Sequence, residues 1–127
     1  MDGALTTRVY LTIPYSHGIT PRGDAGSRLN QVSGYWTPLP VGSSERIVSS
    51  RLTYGCRSLY IGDGSDRQLV DVNVGNNFRI NTGFNVFVPD ITNAGWLGAN
   101  LTLQFQQGTS RTWEFTLQNN LFGSFSF

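Results

Sequence analysis

Lysine does not occur in this sequence, and its nine basic residues are all arginine. Charge of either sign is scarce: 13% of the 127 residues are charged, about half of the ~25% usual in globular proteins, and the formal net charge is +1. That balance excludes a strongly basic nucleic-acid binder and a charged disordered tail. Cys56 is the single cysteine, so a scaffold stapled by intrachain disulfides is excluded. His17 is the single histidine. Two such ligands fall short of the four that a structural zinc site wants, so no metal is expected. No run approaches the roughly 20 apolar residues of a membrane helix. The first residues hold Asp2 and no apolar stretch, unlike a secretory signal, so the chain is expected to fold in a cytosol.

The dominant period is two, the signature of strands. Val9, Leu11 and Ile13 share one face, with Arg8, Tyr10 and Thr12 on the other. Pro14 stops that run, and residues 14–27 read as a long loop rich in Pro, Gly, Ser and Asp. Leu29 to Trp36 is a weaker strand. Val48, Ser50, Leu52 and Tyr54 alternate, and Ser58 to Ile61 is short and apolar. Val70, Val72 and Val74 follow a turn at residues 62–66, and Gly75-Asn76-Asn77 reads as a hairpin turn. Phe78 and Ile80 come next, then Phe84, Val86 and Val88, closed by Pro89. Residues 89–98 read as a loop. Leu101, Leu103 and Phe105 alternate, as do Trp113, Phe115 and Leu117. No helical stripe of useful length occurs. The spacing predicts an all-β fold over residues 1–127: one antiparallel β-sandwich or jelly roll of about eight short strands, with an apolar tail at residues 121–127.

No catalytic set stands out. Cys56 beside Arg57 and the lone His17 would need each other to form a nucleophilic pair, and neither sits in a family signature. Asp63 and Asp66 share one turn, but the spacing is not that of a calcium loop. Glu114 alternates with Trp113 and Phe115, so it should face solvent rather than a cleft. Arg22-Gly23-Asp24 matches an adhesion tripeptide, and Asn100-Leu101-Thr102 a glycosylation sequon; a turn and an unused site are the simpler readings in a cytosolic chain. No catalysis, cofactor, nucleic acid or membrane is expected.

The aromatic residues carry more information. Tyr35 and Trp36, between Gly34 and Pro38, are not readily buried by a period-two pattern, and Phe122, Phe125 and Phe127 make an aromatic tail. Apolar groups on this scale either close the domain's own sheet or dock on another chain. In composition and architecture the whole chain resembles the small β-domain proteins that decorate or cement the capsids of tailed bacteriophages. The resemblance implies a structural virion protein, assembled in the host cytoplasm. It would bind the major capsid protein or other virion subunits, form a homo-oligomer, and stabilise the shell without chemistry. Its interface would then use Tyr35, Trp36, Phe122, Phe125, Phe127, Val9 and Leu11. The alternative is a lectin-like carbohydrate-binding sandwich, in which Tyr15, Trp36 or Trp96 stack on sugar rings.

Overall fold

The computed structural model describes residues 8–20, 23–37, 39, 42, 44–58, 67–90, 95–109 and 111–122. It is all-β, in ten strands: β1 (Val9–Thr12), β2 (Tyr15–Ile19), β3 (Ala25–Leu29), β4 (Gln31–Trp36), β5 (Glu45–Ser58), β6 (Arg67–Asn73), β7 (Asn77–Asn81), β8 (Val88–Pro89), β9 (Gly95–Gln107) and β10 (Arg111–Phe122). They form three antiparallel sheets, ordered β1-β4-β7, β2-β3-β8 and β10-β9-β5-β6. This is the sandwich architecture that the alternation predicts, with more strands than expected and three of them long.

β9 is the central strand. It pairs with β5 on one side and β10 on the other. Leu97, Ala99, Leu101, Leu103 and Phe105 alternate along it and are buried. They share one core with Leu11, Val32, Trp36 and Phe78 of the first sheet and with Leu29 and Val88 of the second. The hairpin joining β9 to β10 turns at Gly108, whose φ of 63° lies in the region that favours glycine.

The segment read as a loop at residues 14–27 is the far half of a long bent hairpin. β1 pairs with β4, and the same two chain segments continue as β2 pairing with β3. The bend falls at Pro14, which has no N–H to give; its carbonyl accepts instead from the backbone N–H groups of Asn30 and Gln31. β2 reads Tyr15-Ser16-His17-Gly18-Ile19; Tyr15 and Ile19 share a face with His17 between them and are exposed, so no run of alternating apolar residues marks this strand.

Three further expectations shift. Val48 is 44% exposed, not in line with Leu52 and Tyr54. A bulge between Ile47 and Ser49 reverses the phase, and Ile47 packs against the core in its place. The turn at residues 75–77 does not close a hairpin: β6 pairs with β5 while β7 pairs with β4, so the chain crosses between sheets there. The alternation from Phe84 to Val88 is strand only at Val88–Pro89. The backbone N–H groups of Asn85 and Val86 donate to the Gln68 side-chain carbonyl rather than to a strand partner. Phe84 is nevertheless buried, its ring 5.7 Å from that of Tyr54.

Candidate functional site

Trp36 does not lie at the surface. It is 4% exposed, on the inward face of β4, its ring 6.5 Å from Phe78. Trp36 is therefore available neither to a partner subunit nor to a sugar. The alternation of β4 explains this, because Val32, Gly34 and Trp36 share one face and Tyr35 faces out. Leu11 is likewise buried, and Val9 packs against the core from an intermediate position. Tyr15 is exposed on β2, edge-on to His17. Trp96 is half-buried on β9, not in a loop. The backbone of Phe122 ends β10 opposite Leu97, while Phe125 and Phe127 lie outside the described residues. So do Arg22, Asp63 and Asp66. Asn100 of the sequon sits mid-sheet, between Thr53 and Gln118. Glu114 is exposed, as its alternation predicts.

His17 and Cys56 stand on different sheets. Burial pushes the Cys56 thiol up from the ordinary 9.0 to about 12, against a smaller lowering by the backbone of Gln68. A thiol so held stays protonated and unreactive. His17 instead meets Ser27 of β3 and Asp90. The Ser27 hydroxyl donates to Asp90 Oδ1 at 2.8 Å, and its oxygen lies 3.4 Å from His17 Nδ1. His17 Nδ1 is 3.7 Å from Asp90 Oδ2, beyond hydrogen-bond length. The three residue types of a hydrolytic triad are thus together, but their order is wrong. A nucleophilic serine gives its proton to the imidazole, whereas Ser27 gives it to the carboxylate and is fully buried. Among the described residues no three His, Cys, Asp or Glu side chains gather as a metal site would need.

Two surfaces remain. The first is the outer face of β1-β4-β7. The register places Tyr10 opposite Tyr35 and Tyr35 opposite Asn77, with Thr12, Ser33 and Arg79 in the next row. The small Ser33 and Thr12 lie between bulkier neighbours and leave an open depression of about 550 Å³. Tyr10 and Tyr35 are 53% and 40% exposed, their rings 6.3 Å apart and 27° from parallel. Tyr10 was legible as an outward residue, but its pairing with Tyr35 depends on a register that local spacing does not carry.

The second is the outer edge of β10. No strand of the described residues pairs with it. Trp113, Phe115 and Leu117 lie opposite Phe105, Leu103 and Leu101, continuing the buried row of β9 toward the edge. Trp113 stacks on Phe105 with centroids 5.5 Å apart, but Phe115 is 41% exposed. Comparisons with protein families, with curated proteins and with solved structures find no match for this chain.

Proposed function

We propose that the protein is a structural subunit of a virion, a decoration or cement protein that joins neighbouring copies and shell subunits and reinforces the shell without catalysis. The observation that carries this reading is the open edge of β10. An unpaired strand is a template for another chain, and free-standing proteins blunt such edges with Lys, Pro, bulges or inward charges. β10 has no Lys or Pro, and from Phe115 to Phe122 it carries no charge. The other edge strand of this sheet, β6, carries Arg67 and Asp71 in its sequence. β10 is engaged near its end, where its register shifts between Asn120 and Phe122 and Asn119 Nδ2 donates to the Leu11 carbonyl, and this leaves the stretch around Phe115 open. Strand addition at β10 would complete the cover over Phe115. The low overall charge fits a surface meant to be covered, since free domains usually carry more.

Sedimentation velocity over a concentration series tests this. The protein should associate, and Phe115→Lys, which places a charge in the strand's apolar row at a part-exposed position, should leave a monomer with unchanged circular dichroism. A wild-type monomer at every concentration, or association that survives Phe115→Lys, would overturn the use of this edge. A second reading, a carbohydrate-binding module, is favoured by the exposed Tyr10–Tyr35 pair beside its polar depression.

A further inference from the structure

We infer that the depression on the outer face of β1-β4-β7 binds an acidic saccharide, a sugar bearing a carboxylate, with Tyr10 and Tyr35 as the stacking platform and Arg79 as the carboxylate anchor. The inference rests on the carbohydrate reading and narrows it to one ligand chemistry.

The argument begins with what this face can offer. It is the middle of a sheet, so its backbone groups are engaged in the ladders to β1 and β7, and recognition must come from side chains. Thr12, Ser33 and Asn77 line the depression and supply groups that both donate and accept, as sugar hydroxyls require. The two tyrosine rings, nearly parallel and part-exposed, present an apolar surface beside them. An apolar wall with a few placed polar groups is the usual make-up of a small-ligand site. Arg79 sets the charge. None of the residues lining the depression is acidic, and no acidic side chain among the described residues pairs with this guanidinium. Its planar fork matches a carboxylate with two parallel hydrogen bonds. One cation is too little for a nucleic-acid track, which needs a concentrated positive face.

The test is a titration of the isotope-labelled protein, followed by amide NMR, with sialyllactose, trigalacturonic acid and neutral lactose. The expected result is saturable binding of an acidic probe, with shifts centred on residues 33–35 and 77–79. Tyr35→Ala should abolish it. Arg79→Gln should weaken the acidic probe about tenfold, the scale of one charged hydrogen bond, and leave lactose unchanged. Arg111→Gln, which removes the same charge from β10, should change nothing. Lactose bound as well as the acidic probes would overturn the acidic assignment while leaving a sugar site. Binding of none of the three at millimolar concentration would overturn both. Shifts elsewhere on the surface would overturn the location.

Discussion

Gly34 and Phe78 stand opposite each other across the β4–β7 ladder, and the Phe78 ring fills the space that a Cβ on Gly34 would take. The missing side chain is what lets Phe78 lie flat under the first sheet and reach Trp36. The carbonyl oxygen of Tyr10 lies 3.0 Å from the same position, so a Cβ there would meet backbone as well as the ring.

Gly34→Ala should therefore destabilise. Two effects compete. A Cβ restricts the unfolded chain, which stabilises by about 0.4–1 kcal/mol at a position that tolerates it. Overpacking a filled core costs about 1–3 kcal/mol. The clash is with an aromatic ring and backbone, so the second effect wins, and chemical denaturation should show a net loss. A variant as stable as wild type would mean that Phe78 has another rotamer open to it.

Cys56 predicts a pH dependence. Its folded-state pKa is raised by burial, so the unfolded chain releases the thiol proton first as pH rises. Stability from this group is complete below the ordinary 9.0 and is lost between there and about 12. The limiting slope is about 1.4 kcal/mol per pH unit. Burial raises Tyr54 in the same direction, so some alkaline loss should persist in Cys56→Ala. Denaturation of both proteins across this range checks the difference. Ellman's reagent should leave the native thiol unmodified and react once the chain is unfolded.

The exposed pair Arg51–Asp71 makes a contrasting case. Arg51 Nε donates to Asp71 Oδ1 at 2.7 Å, and Nη2 donates to Oδ2. The hydrogen bond from Arg51 holds the Asp71 carboxyl below its usual range. Exposed ion pairs contribute little, and salt screens them. Asp71→Asn should leave the neutral-pH melting temperature nearly unchanged. Whatever difference exists should vanish as pH falls through the lowered Asp71 pKa, where the wild-type carboxyl also becomes neutral. A gap that persists in acid would assign the effect to packing.

How far the sequence revealed this molecule depends on the element. Leu101, Leu103 and Phe105 alternate without interruption, and β9 is the buried centre that such a pattern implies. The hairpin of β2 and β3 is hidden in the sequence, because Pro14 cuts it off from β1 and its few large apolar residues, Tyr15, Ile19 and Leu29, make no alternating run. Val48 was misplaced because one inserted residue inverts every later side chain, and a bulge has no local signature. The candidate surfaces depend on register. Tyr10 meets Tyr35 only through the β1–β4 ladder, and Phe115 is exposed only because β10 is outermost. Strand order and pairing are set by the whole chain.

Ser27 offers the last test, because its buried hydroxyl joins two segments 63 residues apart. Ser27→Ala removes the donor to Asp90 Oδ1. A hydrogen bond to a charged acceptor contributes about 1.5–3 kcal/mol, and a buried partner left bare adds to the loss. Asp90 is exposed, so water can replace the lost donor. The expected cost is therefore at the low end, about 1.5 kcal/mol, read from chemical denaturation. The same hydroxyl, pointed at a carboxylate and shut off from solvent, should not react with a fluorophosphonate probe, and mass spectrometry of the treated protein checks this. Covalent labelling at Ser27 would show that the hydroxyl can turn to His17 and act as a nucleophile, contrary to its geometry here.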